Sequence, residues 1–253
     1  MPYPAHVSDA AYCYDGSYAG FLCCIFESYT RREIPSAVLG PAEGQITLFG
    51  TEAIATDPTH ARRVANGLTR LGPMVRERVM TGFLSTEEEK DLILLRFARR
   101  CFDEGPRAVQ MLGDPDVHAA FVLERNVNNE VCRFIEFIRF EEKDGMLGSV
   151  IHPKNNVLPL LRGQFCSRLP DEDFLIFDAA HGTALLRQSG HVQYLAMEHY
   201  EPARDADELN WQAPWKRFFH ALTIEERRNA KAQMNHAPKR FWGGMVEMRE
   251  PYI

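Results

Sequence analysis

What the sequence lacks narrows its possible roles. No apolar run approaches the roughly 18 residues that a membrane helix needs. The opening Met1-Pro2-Tyr3-Pro4-Ala5-His6 has neither the basic nor the apolar stretch of a secretory signal. The expectation is a cytoplasmic protein with no membrane partner. The six cysteines, Cys13, Cys23, Cys24, Cys101, Cys132 and Cys166, form no C-x-x-C pair and no C-x-x-x-C-x-x-C triplet. That leaves no local signature for zinc or an iron–sulfur cluster, and no metal or cofactor is expected. There is also no H-E-x-x-H, no Walker loop, no G-x-G-x-x-G and no G-x-S-x-G. From the residues alone, enzymatic activity stays an open question.

The element signals that are present mix helix and strand. Ala10–Tyr14 reads as a strand, and Ser17 as the cap of a helix from Tyr18 to about Arg32, with Phe21, Leu22, Ile25 and Phe26 as its apolar stripe. Gln45–Phe49 reads as a second strand. Asp57-Pro58 starts a helix that carries Val64 and Leu68 on one face. Ser85-Thr86-Glu87-Glu88 is a capping box that opens a helix closed at Gly105-Pro106. Asp114-Pro115 starts another, with Val127, Val131, Phe134 and Ile138 at its core face. Beyond it, Ile135–Glu141 and Met146–Ile151 flank Lys143-Asp144-Gly145, a hairpin signal. A helix follows over 157–168. Phe174–Asp178 and Ala184–Arg187 then flank a second hairpin, and Val192–Met197 adds a third strand. The fold class is therefore α+β, with a mostly helical first lobe (1–112) and a second lobe (113–253). The second lobe is expected to carry an antiparallel hairpin–helix–hairpin core and a basic helical end.

Charge is uneven along the chain. Between Trp215 and Trp242, Lys216, Arg217, Arg227, Arg228, Lys231, Lys239 and Arg240 face only Glu225 and Glu226, a net +5 in a chain of net −6. Trp215, Phe218, Phe219, Phe241 and Trp242 lie among these cations. Cations interleaved with rings suit a polyanion with flat bases. Arg227, Arg228, Lys231, Lys239, Arg240 and Trp242 are the nucleic-acid-binding candidates. Thr223-Ile224-Glu225-Glu226 is a capping box, and in a helix begun there Arg227, Arg228 and Lys231 share one side. The same pattern also describes a solvated helix face paired with carboxylates, with Trp215, Phe218 and Phe219 in the core.

Other constellations are smaller. Arg133, Arg139, His152, Lys154 and Arg168 are anion-binding candidates, because His152-Pro153-Lys154 leads into a helix whose first N–H groups attract anions. The alternatives are a Glu130–Arg133 ion pair at i, i+3 spacing and a capping role for Arg168. Asp178, at the end of an apolar strand, and Glu130 are the candidate acid/base groups. A turn cap is the plainer role for Asp178.

Taken in order, several pieces form a series that spans nearly the whole chain. They are Tyr14-Asp15-Gly16-Ser17 with Gly20-Phe21-Leu22, Glu130 with Arg133-Phe134, Arg139-Phe140, and Ile151-His152-Pro153 with Asn156. Phe165 with Arg168, Asp178, Trp215-Lys216, Arg227-Asn229-Lys231 and Pro238-Lys239-Arg240-Phe241-Trp242 complete it. The series resembles a bacterial family assigned to DNA metabolism or DNA repair. Members of that family are encoded beside a radical SAM protein, and a similar domain stands ahead of a uracil-DNA glycosylase domain in some proteins. The resemblance implies an accessory protein that binds DNA, single-stranded or damaged, and works with a radical SAM partner. It supplies no catalytic residues. An enzyme acting on a damaged base, and a protein-interaction subunit without nucleic-acid contact, are the alternatives.

Overall fold

Ala11–Cys13 opens the first core as a buried strand leading into Asp15-Gly16-Ser17 and a helix. In the computed structural model of the protein the described residues are 6–41, 50–143, 145–201, 214–215, 217–218, 221–222, 224 and 229–245. They form an α+β fold. The chain divides into two compact units, Met1–Asn128 and Asn129–Ile253.

In the first unit, β1 (His6–Val7) pairs with β3 (Glu33–Ile34), and β2 (Ala11–Cys13) lies between β4 (Ala37–Leu39) and β5 (Thr51–Ala53). All of these pairs are parallel. Helix α1 (Tyr18–Thr30) starts where expected, with the Ser17 hydroxyl accepting the Gly20 N–H, and it buries Phe21, Leu22 and Ile25. Asp57 caps α2 (Pro58–Leu71) through the N–H groups of Thr59 and His60. Val64 and Leu68 of α2 are buried as the spacing predicts. The strand expected at Gln45–Phe49 lies outside the described residues.

Two features differ from expectation. Helix α3 (Pro73–Phe83) has no side-chain cap and follows Gly72 at φ 116°, so it carries no cap signal. Helix α4 (Lys90–Glu104) begins after the expected capping box: the Ser85 hydroxyl accepts from Glu87 N–H, in a turn that precedes the helix. The stop at Gly105, φ 85°, is as read. Leu68, Leu94, Leu95 and Phe97 are fully buried and form the centre of this core.

Helix α5 (Pro115–Phe137) starts at the expected Asp114 cap, and the division between the two units falls inside it. Val127, Val131 and Phe134 are buried. This corrects the strand expected over 135–141. The helical period continues through Phe137, and only β6 (Glu141–Lys143) remains to pair with β7 (Met146–Ile151).

The second unit is built on one sheet of order β10-β9-β8-β7-β6, with β8 (Asp173–Asp178), β9 (Thr183–Gln188) and β10 (His191–Ala196). Its other pairs are antiparallel, but β7 and β8 run parallel. A wholly antiparallel core is thus corrected. The connection from β7 to β8 contains α6 (Leu158–Arg168), and a helical crossover of that length returns the chain to the same end of the sheet. Phe140 meets Phe165 of α6 and Phe174 of β8 at ring separations of 5.4 and 6.2 Å. On the other face Leu175, Phe177, Ala184 and Leu186 are buried beside Tyr200 and Met197. Later described elements are α7 (Ala230–His236) and a 3-10 turn, Lys239–Gly244.

Candidate functional site

The parallel pair gives the second unit its one carboxyl edge shared by neighbouring strands among the described residues. Ile151 is in register with Asp178, and the Ala179 N–H continues the ladder to Ile151 O at 3.0 Å. The turns beyond these two ends, His152–Asn155 and Ala179–Gly182, therefore lie side by side. Such ends are where open sheets with parallel strands place polar ligands.

Glu130, on α5, faces the first turn and is only 3% exposed. Its Oε1 accepts the Lys154 N–H at 3.0 Å. Its Oε2 accepts the Asn155 N–H at 2.8 Å and the Asn155 side-chain amide at 2.7 Å. The Arg240 guanidinium lies 3.2 Å from Oε1. Four donors compensate a carboxylate whose burial would otherwise cost several kcal/mol. The Glu130–Arg133 ion pair, the alternative to an anion-binding role for Arg133, does not form. Arg133 instead donates to Glu136 at 3.2 Å and to the His236 carbonyl at 2.7 Å, fastening the end of α7 to α5.

Asp178 is 1% exposed and does two things. Its Oδ1 accepts the N–H groups of Ala180 and His181, at 3.0 and 3.1 Å, which makes it the turn cap. Its Oδ2 is 2.7 Å from His181 Nδ1. That hydrogen bond holds the His181 pKa above its ordinary value against the opposing effect of burial. The charges of Asp178 and Glu130 and a hydrogen bond to the Lys154 backbone act in the same direction. His181 so links the second turn to the first. Gly182, at φ 62°, then reverses the chain into β9, a conformation that favours glycine.

The tail is partly packed and partly open. Phe241 is buried, with its ring 5.0 Å from Phe134 and 5.8 Å from Phe137. Trp242 is half-buried, and its indole N–H donates to the Ala237 carbonyl at 2.7 Å. Lys239 sits 5.8 Å from the Trp242 ring centroid. Lys231, Lys239 and Arg240 are exposed, as are His152 and Lys154. Trp215 and Phe218, core residues in the alternative reading, are 42% and 54% exposed and lie 5.9 Å apart. Arg227 and Arg228, with Thr223, Glu225 and Glu226 of the capping box before them, lie outside the described residues.

Glu130 therefore joins two groups of candidates that are remote in sequence: His152 and Lys154 on one turn, Lys239 and Arg240 on the tail. Arg139 and Arg168 belong elsewhere. Arg139 precedes Phe140, which packs on Phe165 in the last turn of α6, and Arg168 ends that helix. Both are exposed. Arg168 stands where a cation favours a helix C-terminus, as its capping alternative has it.

His181 and Asn155 are the residues that the sequence reading passed over. Asp-x-x-His directly after an apolar strand was the available signal for His181. Asn155 follows His152-Pro153-Lys154 at the helix start and carries no separate signal. Among the described residues no three His, Cys, Asp or Glu side chains are grouped to hold a metal ion. No helix among them is long and apolar enough to cross a membrane.

Residues 88–247 match the model of DUF4130, a domain of unknown function. The chain belongs to this family. No curated protein and no solved structure matches it. The DUF4130 stretch contains α4, α5 and every described element of the second unit, and so includes Glu130, Asp178 and their partners. Helices α1 to α3 precede it.

Proposed function

We propose that this DUF4130 protein is an accessory protein that binds nucleic acid through its second unit. One observation carries the reading: the Lys154 N–H and the Arg240 guanidinium meet on the same buried oxygen of Glu130. Exposed cations of a turn and a tail are thereby fixed in one neighbourhood. Lys154, His152, Lys239 and Arg240 would contact phosphates, each contact releasing counterions. Lys231 would extend the track, and Arg227 and Arg228, outside the described residues, are further phosphate-contact candidates by sequence. Trp242 has its N–H bonded inward, so it offers a base its ring rather than a polar edge. The resemblance to DNA-repair proteins supplies the rest of the proposal: single-stranded or damaged DNA as the polyanion, a radical SAM protein as partner, and a cytoplasmic setting.

The test is fluorescence anisotropy with a single-stranded oligonucleotide at fixed salt. The variant is Lys154→Gln, Lys239→Gln and Arg240→Gln together. Exchanging the Lys154 side chain leaves its backbone bond to Glu130 intact. Because Arg240→Gln removes the ion pair to Glu130, Arg240→Gln alone is melted and titrated beside the triple variant to separate loss of fold from loss of phosphate contacts. Binding at least about tenfold weaker is expected for loss of three phosphate contacts. Unchanged affinity would remove this surface from the mechanism.

A second reading, an enzyme acting on a damaged base, is favoured by the 2.7 Å Asp178–His181 contact beside Glu130. An oriented imidazole with a raised pKa is a competent proton donor. Turnover by the isolated chain on damaged DNA, lost in Asp178→Asn, would establish it. Silence across a panel of lesions would leave the binding role.

A further inference from the structure

The first unit carries a groove separate from the cluster just described. Helices α1, α2 and α4 enclose a cavity of about 570 Å³ that opens to solvent. Phe26, Tyr29 and Phe102 supply rings to its walls, and Arg63, Arg70 and Asp103 supply the charge. Gly67 shapes one side: a Cβ there would fall 2.8 Å from Phe102 Cε1, so its absence lets that ring lie against α2. Tyr29 and Phe102 meet edge to face at 6.1 Å.

The charges are arranged for an anion. Arg63 and Arg70 are seven residues apart on α2, which places them on one face about 10 Å apart. The Arg63 guanidinium is 5.7 Å from the Phe26 ring centroid, and both arginines are exposed. Neither forms an ion pair with a carboxylate among the described residues. Asp103, the one acid in the lining, accepts the Tyr29 O–H at 3.1 Å and retains acceptor capacity for an amine. Cavities that hold small ligands span about 300–1,000 Å³, with apolar walls and few polar groups.

We infer that this groove binds a small planar aromatic anion, with its ring against Phe26, Tyr29 and Phe102 and its charged group on Arg63 or Arg70. A nucleoside monophosphate and an aromatic carboxylic acid share that chemistry. The inference is independent of DNA binding by the second unit.

Isothermal titration calorimetry on the full chain tests it with AMP, benzoate, adenosine and inorganic phosphate. AMP, benzoate or both are expected to bind saturably. Adenosine and phosphate, which lack the charge or the ring, should bind about tenfold more weakly or worse. Preference for AMP would assign a nucleotide, and preference for benzoate a carboxylic acid. Arg63→Gln with Arg70→Gln should lower the affinity about tenfold without changing the thermal melt. The Lys154→Gln, Lys239→Gln, Arg240→Gln protein should bind as the wild type does. Absence of saturable heat for AMP and benzoate up to millimolar concentration would overturn the inference. So would affinity that survives in the Arg63/Arg70 variant, or that is lost in the second-unit variant instead.

Discussion

Arg240 lies 3.2 Å from Glu130 Oε1, the oxygen that also accepts the Lys154 amide at 3.0 Å. The two partners differ sharply in exposure, with the glutamate side chain at 2% and the arginine at 50%. The acid is thus a buried anchor and the guanidinium a surface group tethered by one end.

Removing the anchor should be costly. Glu130→Ala leaves the Lys154 and Asn155 donors without their acceptor, and a destabilisation of about 3 kcal/mol is expected from unmade bonds to a buried charge. Glu130→Gln keeps an acceptor and should lose less, about 1–2 kcal/mol. Urea unfolding of both variants measures this. Equal and negligible losses would mean that the cluster does not organise the turn.

His181 should make stability depend on pH in one direction. Its folded pKa is raised, first by the hydrogen bond to Asp178, with Glu130 and the Lys154 backbone assisting. The stabilisation is fully present below the unfolded value of about 6.5 and is lost as pH rises through the raised folded value. The advantage of wild type over His181→Gln should therefore shrink from pH 6 towards alkaline pH, as read from urea midpoints. An advantage that grows with pH would contradict the geometry.

Asp91 should behave in a related way in the first unit. It is 3% exposed, and burial raises its pKa. Its Oδ2 takes the Tyr14 O–H at 2.7 Å, while Oδ1 has no hydrogen-bond partner among the described residues. The folded form holds this proton more tightly than the unfolded one. Stability is thus favoured at low pH and falls as pH rises through the raised value. Asp91→Asn keeps the acceptor for Tyr14 and removes the buried charge. It should be at least as stable as wild type at pH 8, with a flatter pH profile in thermal melts.

Gly148, on β7, is a packing site. A Cβ there would lie 2.0 Å from the Tyr200 hydroxyl oxygen, so Tyr200 crosses the strand only because the side chain is absent. Gly148→Ala should cost about 1–3 kcal/mol, as overpacking does. In a Tyr200→Ala background the same change should cost much less. A double-mutant cycle with no coupling would remove this contact from the account.

Local signals made much of the fold legible in the sequence. Ser17, Asp57 and Asp114 mark helix starts because their side chains satisfy the first N–H groups. Met146–Ile151 is bounded by a turn at Gly145, φ 76°. The parallel pairing of β7 and β8 was hidden, since a helix between two hairpins does not reveal which strands become neighbours. Helix α3 was missed because Gly72 offers no cap. The site was legible only as fragments. Glu130, Lys154, Asp178 and Arg240 could each be named, but the bonds from the Glu130 carboxylate to Lys154 and Arg240 are tertiary contacts. His181 lies in the turn between two strands, and its contact with Asp178 is set by the folded turn.

If the cations gathered around Glu130 grip nucleic acid, binding must weaken with salt in proportion to the phosphates they contact. For a single strand, log K falls with log salt at about 0.7 per phosphate contact. The Lys154→Gln, Lys239→Gln, Arg240→Gln protein should lose three contacts and show a slope shallower than wild type by about 2. Identical slopes for the two proteins, or no binding of a single-stranded oligonucleotide by wild type at low salt, would contradict the account.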